Sequence, residues 1–186
     1  MLSLITYIMD NIAIYLLDLT QNAISAKANH IDIHIKEDDY LVLEMKDDGC
    51  GMDEETLQKA SSPFFTTRKT RKVGLGLSMI KMVSEQTSGE FQLTSKPNEG
   101  TTLKVSFDIH HMDMPPLGDF GDVVVMLAIH QDMNDFSFTY EKDNKQYTFH
   151  LNDMKELLGD TLHDIYVMNY LKDYINQEIN RVRGIL

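Results

Sequence analysis

One cysteine, Cys50, and four prolines are all that this 186-residue chain holds of the residues that staple or break a backbone. A lone cysteine excludes an internal disulfide and fits a reducing compartment. Basic residues are scarce as well: 17 Lys and Arg stand against 29 Asp and Glu, a formal net charge of −12. That balance argues against nucleic-acid binding as the main role, because phosphate contacts need a basic surface. The deficit is uneven, with −5 over residues 1–110 and −7 over the shorter stretch 111–186. Long apolar runs are also missing. Met1 to Met9 is apolar, but Asp10 and Asp18 interrupt it well before the roughly 20 residues that a membrane span needs. No basic n-region or cleavage-like small-residue site accompanies it, so the expectation is a cytoplasmic protein with no membrane association. No internal repeat or low-complexity tract is present. What remains is ordinary for a soluble globular chain, 42% hydrophobic and 25% charged, with enough length for one core, or one core and a smaller appendage.

The most informative stretch is Asp47-Asp48-Gly49-Cys50-Gly51-Met52. It follows Tyr40 to Met45, whose alternation predicts a strand that delivers the acid to its end. Glycines at 49 and 51 let the backbone turn sharply and approach a ligand closely. An ionised Asp47 can only accept hydrogen bonds, so a buried one selects a ligand edge that donates, such as an exocyclic amine.

Upstream, Asp10 to Ala28 has helical spacing, with Ile12, Tyr15 or Leu16, Leu19 and Ala23 as its apolar stripe. Asp18, Asn22 and Ala26 share one adjacent face at four-residue steps, an acid and an amide with a small residue that leaves room beside them. Ile31 to Lys36 and Tyr40 to Lys46 predict a hairpin around Glu37-Asp38-Asp39. Asp53-Glu54-Glu55 supplies a negative first turn for a short helix through Leu57 and Ala60.

Between Ser61 and Lys72 no clean period exists, and four of the last five residues, Arg68, Lys69, Arg71 and Lys72, are basic. Such a concentration in an acidic chain points to a local anion site or a solvated charged loop. Val73-Gly74-Leu75-Gly76-Leu77 runs into a helix expected over Ser78 to Ser88; glycines before a helix start leave N–H groups free to cradle a phosphate. Phe91–Ser95 and Thr101–Asp108 read as strands around Pro97-Asn98-Glu99-Gly100.

Met112 to Asp122 holds Pro115, Pro116, Gly118 and Gly121 and is expected to be a linker. Beyond it, Val123 to Ile129 is expected to be an apolar strand, Phe136–Tyr140 and Tyr147–Leu151 a hairpin, and Asp153–Leu158 a short helix stopped by Gly159. One long helix is expected from about Asp160 to Arg183. Its apolar face, flanked by Tyr166, Tyr170 and Tyr174, predicts core packing or a subunit interface, a homodimer being one such assembly.

The ordered pieces Asp18-x-x-x-Asn22-x-x-x-Ala26, Asp47-x-Gly49-x-Gly51, Phe64-Phe65-Thr66-Thr67, Gly74-x-Gly76 and Gly100-Thr101 resemble the boxes of the GHKL ATP-binding superfamily. That group includes DNA gyrase, heat-shock chaperone ATPases, sensor histidine kinases and mismatch-repair ATPases. The resemblance covers roughly residues 10–108. Pro63 to Lys69 and Gly74 to Ser78 are most similar to sensor kinases of the nitrogen-regulatory type. Asn22-Ala23 through Ile33, with the acid-glycine turn, is also similar to the mismatch-repair branch.

The resemblance implies an α/β fold, a two-layer α/β sandwich of the histidine kinase-like ATPase type with a small αβ extension. It implies ATP and Mg²⁺ as ligands. Asn22 would hold Mg²⁺, and Asp47 would accept from the adenine amine with help from Thr101. Ala26, Gly49, Gly51 and Met52 would shape the base site, and Gly74, Leu75, Gly76 and Leu77 the phosphate site. Residues 61–73 would form a lid bringing Thr66, Lys69, Arg71 and Lys72 to the phosphates. Asp18 would stand where hydrolytic members carry a glutamate base, on an arm one methylene shorter.

The resulting division is an ATP-binding domain over 1–111, a linker over 112–122, and an extension of hairpin and helices over 123–186, with residues 112–186 offered to an unidentified protein partner or substrate. No histidine precedes the first helix, and His163-Asp164 lacks the pattern around a phosphoacceptor. Three roles in regulation and signal transduction stay open: a kinase acting on a partner protein, a hydrolysing switch, and a nucleotide-sensing module without useful catalysis.

Overall fold

Alternation along five of the six strands sorts side chains to two unlike faces, and this decides the architecture. The computed structural model describes residues 11–62 and 76–185. Its elements are α1 (Ile12–Ser25), β1 (His30–Glu37), β2 (Tyr40–Asp47), α2 (Glu54–Ala60), α3 (Gly76–Gln86), β3 (Phe91–Lys96), β4 (Gly100–Asp108), α4 (Phe120–Ala128), β5 (Asp135–Lys142), β6 (Lys145–His150), α5 (Leu151–Leu158), a 3₁₀ turn (Gly159–His163) and α6 (Ile165–Arg183).

The strands form one mixed sheet in the order β3-β4-β2-β1-β5-β6. One face carries Ile31, Ile33, Ile35, Leu41, Leu43, Met45, Leu103, Val105, Phe107, Phe136, Phe138 and Tyr140, all buried under the helices. The other carries Asp32, His34, Lys36, Glu44, Lys46 and Lys104. Cross-strand pairs such as Lys104–Glu44 (3.3 Å) and His34–Glu141 (3.1 Å) solvate that face rather than stabilise it much. A two-layer α/β sandwich results.

Helix α1 begins where the side chain of Asn11 accepts the N–H of Ile14 at 3.0 Å. It buries Ile12, Tyr15, Leu16, Leu19 and Ala23 as the spacing predicts, leaving Asp18 and Asn22 half-buried. The segment before α4 is tied to this end, since the N–H groups of Ile12 and Ala13 donate to the carbonyls of Pro116 and Leu117.

Two expectations from the sequence are corrected. Val123–Ile129 is not a strand: Phe120–Ala128 is helix α4, capped by Asp119, whose carboxylate accepts the N–H of Asp122 at 2.8 Å. Its run of valines carries no period that separates a buried helix from a buried strand. With Val123, Val124, Val125, Leu127 and Ala128 all buried, packing between α1 and α6 decides, and it overrides the β preference of valine. The long C-terminal helix is also not continuous from Asp160. Asp164 leaves helical geometry at ψ 131° and caps α6 by accepting the N–H groups of Tyr166 and Val167, so the turn before it is 3₁₀.

Residues beyond 111 join the same sheet. β5 runs parallel to β1, with Ile31 opposite Phe136 and Ile35 opposite Tyr140, and the β5–β6 hairpin turns through Asp143 and Asn144 at positive φ. Asn176 of α6 donates to Asp119 at 2.8 Å and accepts from the N–H of Gly121 at 3.0 Å. No helix among the described residues is long and apolar enough to cross a membrane.

Glu37, which the sequence places beside a solvated turn, is 5% exposed at the end of β1. Its carboxylate accepts from the hydroxyl of Tyr140, from Lys142 Nζ at 2.9 Å and from Arg183 Nε at 2.8 Å. Burial works against its charge, yet the hydrogen bonds from Arg183, Tyr140 and Lys142 hold the carboxyl below its usual value. Burial, together with the bond to Glu37, pushes the Tyr140 hydroxyl well above its ordinary value.

A carboxyl lowered on folding stabilises the fold above its unfolded value, and that contribution is lost as pH falls through the folded one. Removing the charge leaves Lys142 and Arg183 uncompensated. Glu37→Gln should therefore cost about 3–5 kcal/mol in urea unfolding near neutrality, and the gap to wild type should narrow as pH falls below the ordinary carboxylate range. A gap that stays constant across that range would mean the charge of Glu37 is not what holds the C-terminal helix.

Candidate functional site

The acid-glycine turn sits where β2 runs out beneath the C-terminal end of α1. Asp47 is the last residue of β2, opposite Thr101 at the start of β4. Inward register leaves it 5% exposed, one of few buried polar residues on the helix-covered face. Its Oδ1 accepts the N–H of Gly49 at 2.9 Å, and the backbone of Thr101 also bonds the carboxylate. Burial is the largest influence and raises the carboxyl above its ordinary value; the bonds from Gly49 and Thr101 oppose it, while the charge of Asp48 adds to it.

Asp48 has a different task. Its Oδ1 accepts the N–H groups of Asn29 at 2.6 Å and His30 at 2.9 Å, clamping the turn to the start of β1. The N–H of Cys50 donates to the carbonyl of Ala26 at 2.8 Å, which fastens the turn to the end of α1. A Cβ on Gly49 would lie 2.9 Å from Asp47 Oδ1 and 3.0 Å from the Ala26 Cβ. Glycine at 49 thus avoids crowding both the carboxylate and the Ala26 methyl. Gly51 adopts φ +63°, and a Cβ there would come within 1.9 Å of the Lys96 carbonyl. Only glycine follows this path at low cost.

The far wall comes from the β3–β4 hairpin. Ser95 Oγ donates to the Gly100 carbonyl at 2.7 Å, lies 3.0 Å from Thr101 Oγ1, and accepts the N–H of Met52 at 2.9 Å. Motif and periodicity do not single out Ser95. The signal for it is the tight hairpin turn, which sets Ser95 opposite Thr101 and so pairs two hydroxyls beside the acid.

On the other side, α1 faces the start of α3. A Cβ built on Gly76 would fall 1.9 Å from Asp18 Oδ2, so the carboxylate of Asp18 lies directly against that glycine. Asn22 follows Asp18 by one helical turn on the same half-buried stripe. Leu77 packs against the core with Met79 and Ile80 beside it. The structure therefore brings together Asp18 with Gly76, Ala26 with Gly49, and Asp47 with Gly49 and Thr101, while Met52 is held at the hairpin. Thr66, Lys69, Arg71, Lys72, Gly74 and Leu75, with most of the expected lid, lie outside the described residues.

In chemical terms, a buried carboxylate acceptor stands at one end of the site. An acid and an amide stand on α1 near the start of a helix whose N-terminal residue is glycine. Such a set can take a ligand with a donating edge at one end and an anionic group at the other.

The chain is similar to known proteins over its first part. A profile of the family described as "Histidine kinase-, DNA gyrase B-, and HSP90-like ATPase" matches residues 9–111. Sensor kinase CckA of Brucella abortus is 40% identical over 82 residues, covering 44% of this chain and 8% of that protein. Sporulation kinase E of Bacillus subtilis is 31% identical over 97 residues, covering 50% of this chain and 13% of that protein. The matched part is thus less than a fifth of the length of either curated relative. Among solved structures, the N-terminal domain of a DNA repair protein superposes with a TM-score of 0.58 at 15% identity, covering 84% of this chain and 59% of that one. That likeness shows the fold.

Asp47 sets up a stability test that needs no ligand. A carboxyl whose value rises on folding favours the folded chain most when protonated, so ionised Asp47 costs stability above that value. Asp47→Asn keeps an acceptor for the N–H of Gly49 and removes the buried charge. It should melt at a higher temperature than wild type near neutral pH, with the two curves converging as pH falls through the carboxylate range. A lower melting temperature at neutral pH would show that the ionised carboxylate is net stabilising.

Proposed function

Because the chain belongs to the histidine kinase-, DNA gyrase B- and HSP90-like ATPase family, we propose that it binds ATP with Mg²⁺ at the acid-glycine turn and uses it in regulation, to phosphorylate or switch a partner protein. The observation that carries this reading is Asp47: a carboxylate buried at a strand end, packed so closely against residue 49 that only glycine fits there. A charged acceptor costs free energy there, and a donating ligand edge offsets that cost. The adenine amine supplies such a donor, with Thr101 and Ser95 completing the polar wall.

ATPase domains of this family bind ATP, generally with Mg²⁺. The donor set on α1 fits that group. Asn22 offers one uncharged oxygen, which suits a hard cation that takes its remaining ligands from phosphates and water. Among the described residues no cluster of three or more His, Cys, Asp or Glu could hold a metal ion by itself. When bound, the cation would neutralise phosphate charge. Gly76, at the first turn of α3, offers backbone N–H to the phosphates, and the basic residues Lys69, Arg71 and Lys72 are proposed to close over them.

Asp18 is the group proposed to orient the attacking hydroxyl or water. It stands one turn from Asn22, and Gly76 gives it room: any side chain at 76 would displace the carboxylate. The shorter arm of aspartate, relative to glutamate, favours the second reading, a nucleotide sensor that binds without useful turnover.

Calorimetry and a turnover assay separate the readings. Asp47→Ala should weaken ATP binding by on the order of 1.5–3 kcal/mol while circular dichroism shows an intact fold. Equal ATP affinity in mutant and wild type would remove the base site from this turn. Asp18→Asn should bind ATP as wild type does and lose about 10²–10⁴-fold in turnover, whereas Asn22→Ala should weaken binding itself. Binding without phosphate release or transfer in wild type would establish the sensor.

A further inference from the structure

The outer face of α6 takes no part in the nucleotide site, and its surface chemistry stands independently of that site. Tyr166 is 82% exposed and Tyr170 73%, with Ile165 and Leu157 also largely in solvent. A row of exposed aromatic side chains on one helix marks an interaction surface. The rings are already organised. Tyr170 and Tyr174 stack with centroids 6.5 Å apart and planes 12° apart, and Tyr174 meets the edge of Tyr147 on β6 at 6.4 Å. A partner would find Tyr170 and Tyr174 held by these ring contacts, which lowers the ordering cost of binding.

Charge decides what such a partner carries. Between 156 and 174 there are four acidic residues, Glu156, Asp160, Asp164 and Asp173, and one cation, Lys172. Lys172 is already engaged, its Nζ lying 3.0 Å from Asp122 and 3.1 Å from Asp119, on the side of α6 that faces α4. Further along, Arg181 is paired with Glu178. Asp173 stands three residues after Tyr170 and seven after Tyr166, so it shares their face of the helix. Tyrosine rings attract cations over their faces, and the flanking carboxylate adds to that attraction. A second copy of the chain would bring −12 against −12 and set acid against acid.

We propose that the row Tyr166–Tyr170–Tyr174, with Asp173, is a docking surface for a basic segment of a partner protein, one presenting arginine or lysine among aliphatic side chains. The cations lie over the rings and beside Asp173, and the aliphatic side chains pack along the edges of the exposed rings.

Fluorescence anisotropy with a short labelled peptide tests this, the peptide carrying arginine and leucine at helical spacing. Two control peptides replace arginine by glutamate or leucine by serine. The arginine–leucine peptide should bind wild type, and both controls should bind far more weakly. The double variant Tyr166→Ser, Tyr170→Ser should lose at least about tenfold in affinity. Asp173→Asn should lose a few-fold and show a shallower salt dependence. Both tyrosines are exposed, so these variants keep the fold, as circular dichroism would verify. Undiminished binding by the double variant would reduce the effect to diffuse attraction towards an acidic protein and overturn the proposal. A concentration-dependent dimer in sedimentation, dissolved by the tyrosine variant, would also overturn it by making a second copy the occupant.

Discussion

β1 has a neighbour on each edge, and its register against β2 and β5 is the constraint on which the rest rests. Ile31 faces Asp47 across one edge and Phe136 across the other. A slip of one residue would turn Ile31, Ile33 and Ile35 out to the polar face and bring Asp32, His34 and Lys36 into the core. A matching slip in β2 would carry Asp47 to the solvated face and end its role as a buried acceptor. Each end of β1 is held by a carboxylate. Asp48 clamps Asn29 and His30 at the site end, and Glu37 collects Tyr140, Lys142 and Arg183 at the other.

The site is assembled where β1 starts and β2 ends, from parts that restrict the residue each position accepts. Asp47 is ionisable and buried, Gly51 is in the left-handed region, and Asp18 is wedged against Gly76. The buried charge of Asp47 does not improve a ligand-free fold; it makes sense where a bound group completes its hydrogen bonding, a common compromise at functional sites. The surrounding bonds, Cys50 to Ala26 and Met52 to Ser95, hold the turn in this shape without help from the ligand.

The family match ends at residue 111, but the sheet does not. β5 adds a parallel neighbour to β1, α4 fills the layer between α1 and α6, and the last helix returns Arg183 to the end of β1. The C-terminal part therefore leans on the same strand that positions Asp47. Contact between a protein partner and α6 would act on a helix joined through Glu37 to that strand, a continuous chain of packed and charged groups.

Much of this was legible in the residues because local rules carry it. Two-residue alternation marked β1, β2, β4 and the β5–β6 hairpin; three- and four-residue spacing marked α1; and the order of acid, amide and glycine boxes marked the site. Alternation sets Glu37 in register with Ile31, Ile33 and Ile35 but cannot name the groups that let a carboxylate be buried there, so the partners of Glu37 and of Asp47 emerged only with packing. The valine run at 123–125 has no period, and its helical state comes from what surrounds it on every side. Ser95 acquires its role from a strand register, and Asp18 meets Gly76 across a gap of 57 positions that no local pattern spans. Most strands and helices, and the acid-glycine turn, could be placed from the residues alone, because backbone preference and hydrophobic period act over a few positions. Which groups meet, and which charges are buried with which partners, waited on the folded chain, because those energies depend on neighbours brought together from distant parts of it.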